Sequence, residues 1–139
     1  MQFSARIRYS IRALIYLARR GETRPVTCEE ISREENISRD FLERLLNKLK
    51  HEGLVKSIRG RRGGYLLSRP PQDITLEEVL RASGESLELS TCSDGIKGCP
   101  RRDSCLAFPF WRELREKFRL WLKEITLGDL ISEDKNIRR

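Results

Sequence analysis

Residues 38–70 read SRDFLERLLNKLKHEGLVKSIRGRRGGYLLSRP, a leucine-rich half followed by one rich in Gly and Arg. The first half opens on Ser38, a good N-cap residue, and closes at Gly53, a common helix stop. Leu42, Leu45, Leu46 and Leu49 recur at i, i+3, i+4 and i+7, so they share one buried helix face. Asp40, Glu43, Arg44, Asn47 and His51 fall on or near the other face. The second half holds two short β-prone runs, 54–58 and 65–68, on either side of a Gly- and Arg-rich turn, which predicts a hairpin. Upstream, Thr27 and Glu30 in TCEE fit a capping box that opens a short helix ending near Asn36. A short helix, a tight turn, a leucine-seamed second helix and an Arg-tipped hairpin together predict a winged helix-turn-helix.

The flanking sequence extends this unit on both sides. Ile7, Ile11, Leu14, Ile15 and Ala18 give the first helix one apolar stripe, with its arginines outward and Gly21 as its stop. Thr75 and Glu78 repeat the capping-box pattern and open a short fourth helix. Further on, Trp111, Leu114, Phe118, Trp121 and Ile125 are spaced 3, 4, 3, 4 along one long helix. Such a heptad-like seam calls for a partner helix, and a second copy of the chain supplies one. The expected fold class is mainly α with a small β-hairpin wing, plus a long C-terminal dimerisation helix. The divisions are 1–83 for the winged helix-turn-helix, 84–107 for a cysteine loop, 108–131 for the dimer helix and 132–139 for a frayed tail.

Composition narrows the function. Of 139 residues, 38% are apolar and 35% charged, with a net charge of +7. Residues 1–70 hold 16 Lys and Arg against 8 Asp and Glu, whereas residues 71–139 hold 12 against 13. The whole basic excess lies in the half that carries the helix-turn-helix, as nucleic-acid binding requires. No apolar run approaches the roughly 20 residues of a membrane span. The arginine-studded start has no small-residue cleavage site, so no signal peptide is expected and the location is cytoplasmic. Enzyme chemistry of the nucleophile-and-base kind finds no support, because the one histidine, His51, pairs with no evident thiol. His51 reads as a phosphate contact or plain surface.

The outer face of residues 38–51 suits the major groove, where each base pair shows a distinct donor and acceptor pattern. Ser38 and Arg39 can hold phosphate at the helix start. Arg44 suits guanine, Asn47 suits adenine, and Asp40 or Glu43 can accept from cytosine. An Asp40–Arg44 pair within the helix is an equally good account of Asp40. At the hairpin tip, Arg59, Arg61 and Arg62 suit a narrow minor groove.

Residues 92–105, CSDGIKGCPRRDSC, place Cys92, Cys99 and Cys105 at C-x6-C-x5-C spacing in a loop with little apolar material. Gly95, Gly98 and Pro100 let the loop turn, and Lys97, Arg101 and Arg102 offset the charge of thiolates. Thiolates suit iron–sulfur clusters, zinc or Cu(I). Zinc sites usually carry paired CxxC knuckles, and neither gap here is that short, which favours a cluster. Cys28, at the start of the second helix, reads as a small core residue.

The chain resembles the Rrf family of winged helix-turn-helix transcriptional regulators nearly end to end. The matching stretches are RYSIRAL, ISRDFLERLLNKLKHEGLVKSIRGRRGGYLL, the three-cysteine loop and CLAFPFWREL…ITLGDLI. The resemblance implies a homodimeric repressor joined by the long helix, bound to a palindromic double-stranded operator. For cysteine-bearing members it implies an iron–sulfur cluster, 2Fe–2S in the favoured form and 4Fe–4S in the alternative, that tunes DNA affinity. By residue match the ligands are Cys92, Cys99 and Cys105, the groove reader is Ser38 to Asn47, and Arg59 enters the minor groove. The fourth ligand departs from the family pattern. Some members use a His three residues after the last cysteine, here Phe108, and others an acidic residue of the partner's first helix, here Arg8. Asp94, Asp103, Ser104 or solvent are left for that position, and so open a cluster is expected to act as a sensor. The alternative of the same fold is a cofactor-free or zinc-bound regulator controlled by a protein partner.

Overall fold

The computed structural model describes residues 2–86, 89 and 99–137. The chain runs through α1 (Ala5–Arg20), α2 (Cys28–Glu35), α3 (Arg39–His51), β1 (Val55–Ile58), β2 (Gly64–Leu67), a 3-10 turn (Pro71–Asp73), α4 (Leu76–Ala82), α5 (Phe108–Glu124) and α6 (Leu127–Ile137). It is a mainly α fold with one antiparallel hairpin, the architecture that the 38–70 stretch predicts. Helix α1 is central, because α2, α3, α4, α6 and β2 all pack on it. Ile7, Leu14 and Ala18 of its stripe are buried, and so are Ser10, Ala13 and Leu17 beside them. The small Ser10 and Ala13 let neighbours approach the helix closely.

The helix-turn-helix is set by a tight local network. Asn36 adopts the left-handed conformation at φ 53° and ψ 52°, which Asn tolerates better than most residues. The buried Ile37 then donates its N–H to the Ser32 carbonyl at 3.1 Å, while Ser32 Oγ donates to the Ile37 carbonyl at 2.6 Å. All four seam leucines of α3 are buried, which turns the opposite face of that helix to solvent. Thr27 caps α2 by accepting from Glu30 N–H at 3.1 Å. The Glu30 carboxylate does not close the box; Tyr16 Oη and Arg24 Nη2 each donate to it at 2.8 Å. The complete capping box forms instead at Thr75 and Glu78.

In the wing, Val55 pairs with Leu67 and Ile58 with Gly64. A third segment joins the hairpin: Val26 N–H donates to the Tyr65 carbonyl at 3.0 Å, and Tyr65 N–H returns to Val26 at 2.7 Å. This bridge ties the wing to the entry of α2. Gly64 makes it possible, with a φ of +154° and a backbone packed so closely that a Cβ would stand 2.6 Å from Val26.

The C-terminal region corrects two expected boundaries. The dimer helix, expected to span 108–131, ends at Glu124, because Ile125 is extended at φ −99° and ψ 130°. Leu76 N–H donates to the Ile125 carbonyl and Leu127 N–H to the Ile74 carbonyl, both at 2.9 Å, so the chain is stitched to the start of α4. Thr126 and Asp129 then cap each other's backbone N–H, at 2.9 and 3.2 Å, and start a new helix. Fully buried Leu127 pulls α6 back onto α1. The expected tail from 132 is therefore helical up to Ile137.

Candidate DNA interface and thiol loop

The face of α3 opposite the leucines is exposed at Arg39, Asp40, Glu43, Arg44, Asn47 and His51, as is Ser38 at the N-cap position. Ser38 makes no side-chain cap bond, which leaves its hydroxyl available. Arg39 Nε lies 3.4 Å from Glu43 Oε1, an exposed i,i+4 ion pair. The alternative Asp40–Arg44 ion pair does not form; Arg44 Nε donates to the Asp40 backbone carbonyl at 3.4 Å. Asp40 thus keeps its carboxylate free, and Glu43 is the acid that carries a cation partner.

Arg59, Arg61 and Arg62 are exposed at the wing tip, whose turn is closed by Gly63 N–H on the Gly60 carbonyl at 3.0 Å. Among the described residues these three have no carboxylate partner. Cations held at the tip of a rigid hairpin without counter-ions present a surface for an anionic polymer.

Cys28 lies in the core, with Sγ 3.9 Å from the Arg39 carbonyl. Burial pushes its thiol up from the ordinary value, the Glu43 carboxylate adds to the rise, and Arg39 opposes it. An elevated, buried thiol is inert, as expected for a core residue.

Of the three loop cysteines, Cys92 lies outside the described residues, as does Asp94. Cys99 is half-buried, Cys105 is exposed, and both are free thiols. They bracket a short turn in which Arg102 N–H donates to the Cys99 carbonyl at 2.9 Å and Ser104 N–H to the Arg101 carbonyl at 3.1 Å. Phe108 N–H donates to the Cys105 carbonyl at 3.3 Å, so this cysteine is fixed to the first turn of α5. Ser104 Oγ donates to the Arg101 carbonyl at 3.3 Å, and Asp103 is exposed. The guanidinium groups of Arg102 and Arg112 stand 5.3 and 5.8 Å from the Phe108 ring centre. Among the described residues no three metal-binding side chains are gathered.

Helix α5 carries an apolar face that one chain does not cover. Leu106 just before it is 99% exposed, Phe110 57% and Trp121 55%. Phe3, Phe118 and Trp121 stack in a row with ring centres 6.3 Å apart. They border a groove of ≈ 230 Å³ whose floor is Ile7, Leu76 and Leu80. Sequence reasoning missed Phe3 and Leu106. Their signal was a large apolar residue just outside the end of a helix.

A leucine-backed helix-turn-helix joined to an arginine-tipped hairpin defines a winged-helix DNA-binding regulator. The profile of the Rrf2 family, described as an iron-dependent transcriptional regulator, matches residues 3–133, and the chain belongs to that family. It is 39% identical over 132 residues to the HTH-type transcriptional regulator IscR of Klebsiella pneumoniae strain 342, which covers 95% of this chain and 80% of the relative. Among solved structures, T. potens IscR superposes with a TM-score of 0.80 at 27% identity, over 100% of this chain and 92% of that one. CymR, the global cysteine regulator of B. subtilis, superposes with a TM-score of 0.77 at 28% identity, over 96% and 98%. The protein is a DNA-binding transcriptional regulator and not an enzyme. No described helix is long and apolar enough to cross a membrane.

Proposed function

We propose that this regulator is a homodimeric, sequence-specific repressor whose DNA affinity follows the state of an iron–sulfur cluster held through Cys92, Cys99 and Cys105. The observation that carries this reading is the attachment of Cys105 to α5. Its carbonyl accepts from Phe108 N–H, so a ligand residue sits at the first turn of the helix with the uncovered apolar face. The donor chemistry fits: Cys99 and Cys105 are free thiols, and Arg101 and Arg102 between them offset thiolate charge. The fourth position falls to Asp94, Asp103, Ser104 or solvent. When bound, the cluster supplies a redox- and iron-responsive tie between the loop and α5. A coupling of about 1–3 kcal/mol changes operator occupancy roughly 5- to 150-fold.

The DNA contacts follow from the exposed face of α3. Ser38 and Arg39 hold backbone phosphate, Arg44 reads guanine, Asn47 reads adenine, and Asp40 or Glu43 accepts from cytosine. Releasing Glu43 from Arg39 costs little, since an exposed i,i+4 pair contributes about 0.3–0.5 kcal/mol. Arg59, Arg61 and Arg62 enter the minor groove. The two copies meet along Phe110, Leu114, Phe118 and Trp121, and so present paired readers to a palindromic operator.

Anaerobic purification followed by visible absorption and iron and sulfide assays tests the cluster. A colourless protein without iron or acid-labile sulfide refutes it. The second reading, a cofactor-free or zinc-bound regulator governed by a protein partner, is favoured by the near-equal superposition on CymR. Zinc, or no metal, in the purified protein selects it. For the DNA face, Arg61→Ala is expected to weaken binding and lower the salt slope by about 1.

A further inference from the structure

Beyond the reader and the wing, a cationic cleft of ≈ 160 Å³ lies on the flank of α3 that faces the start of α1 and the end of α4. Arg6, Arg44 and Lys48 supply its charge, and Phe41 and Leu45 its floor. The flank is distinct from the one that meets α2, where Cys28 lies against Arg39. Arg6 and Lys48 come from different helices yet converge on one point beside Gly84. A Cβ on Gly84 would strike Lys48 Nζ and stand 3.5 Å from Arg6 Nη1. Gly84 has a φ of +82°, so this approach is built on a backbone conformation that favours glycine.

Two cations brought this close repel each other unless an anion joins them. Among the described residues neither has an ion-pair partner. Glu85, the acid adjacent to Gly84 in the chain, accepts a hydrogen bond from the Ser4 hydroxyl instead. Arg44 links the cleft to the groove-reading face, because it belongs to both. A duplex that receives α3 in its major groove therefore lays a phosphate backbone along this flank.

We propose that Arg6 and Lys48, next to the base-reading Arg44, form a second backbone clamp that holds DNA phosphate on the side of α3 away from α2. The clamp rests on the reading of α3 as the groove helix, and it positions the reader without contributing sequence preference.

The test measures affinity against salt concentration for an operator duplex and a scrambled duplex. In the double variant Arg6→Gln/Lys48→Gln, the log–log salt slope should fall by about 2, and affinity should drop by the same factor on both duplexes. The charge-keeping pair Arg6→Lys/Lys48→Arg should restore both. A slope equal to wild type overturns the clamp. Weakened binding with an unchanged slope also overturns it, since Lys48 would then serve only to seat the end of α4. Arg61→Ala is measured alongside. If that variant loses slope and the cleft variant does not, the clamp alone fails; if wild type shows no salt slope, the groove reading itself fails.

Discussion

Replacing Gly64 with alanine tests how the wing is held. A Cβ at this position would stand 2.6 Å from both the carbonyl carbon and the oxygen of Val26, and 2.9 Å from its nitrogen. Val26 is fully buried and cannot retreat without disturbing the core. The strain is relieved only by parting Tyr65 from Val26, which breaks the hydrogen bonds of 3.0 and 2.7 Å. Two lost backbone bonds cost about 2 kcal/mol together. The disfavoured φ adds about 1 kcal/mol. The expected loss of about 3 kcal/mol lowers Tm by about 10 °C for a domain of this size. Gly60→Ala is the control, because Gly60 also has a positive φ, +113°, but nothing lies within 4 Å of its Cβ position. It should lose only the φ term, about 1 kcal/mol. Urea unfolding at one fixed protein concentration measures both, with the difference read from the midpoint at constant m-value. Equal losses in the two variants would refute the reasoning, for then the bridge to Val26 contributes nothing.

Three further outcomes are expected. Trp121→Glu should give single chains in sedimentation, since burying each tryptophan contributes about 2–3 kcal/mol and two are lost per dimer; an intact dimer would contradict the α5 interface. Cys105→Ser should lower iron content while the metal-free protein melts within about 0.5 kcal/mol of wild type, because an exposed side chain is changed; unchanged iron content would exclude Cys105 as a ligand. Acidification should destabilise the fold through Glu78. Burial disfavours its charged form, but Thr75 N–H and the Arg69 guanidinium, at 3.0 and 2.9 Å, outweigh that and hold the carboxyl below its ordinary value. Its contribution is complete above the usual carboxylate value of about 4.3 and is lost as pH falls through the lower folded one. Glu78→Gln should flatten that part of the acid limb, and an identical acid limb would sink this assignment.

The winged helix-turn-helix was legible because its signals are local. Four leucines at helical spacing fix which side of α3 faces out, and a Gly–Arg turn fixes the hairpin. The Val26–Tyr65 bridge was not legible, since it joins residues 39 positions apart and Val26 reads as a linker. The end of α5 misled for a physical reason. Ile125 continues the 3, 4, 3, 4 spacing, but its backbone is drawn into pairing with Leu76. The T-x-x-D pattern of Thr126 and Asp129 was a readable start signal inside the apparent helix. On the site, sequence placed Arg61 and Asn47 on exposed surfaces, yet spacing along one helix gave no sign that Arg6 approaches Lys48 from another.

The stitching of Ile125 and Leu127 to the start of α4 makes α5 a lever with a pinned end. Its far end adjoins Cys105, and 17 helical residues put that end about 25 Å from the fulcrum. A tug of about 2 Å at the thiol end swings such a rod by about 5°. In the proposed dimer a rotation of that size is doubled across the two-fold axis, and it re-aims both reading heads at once.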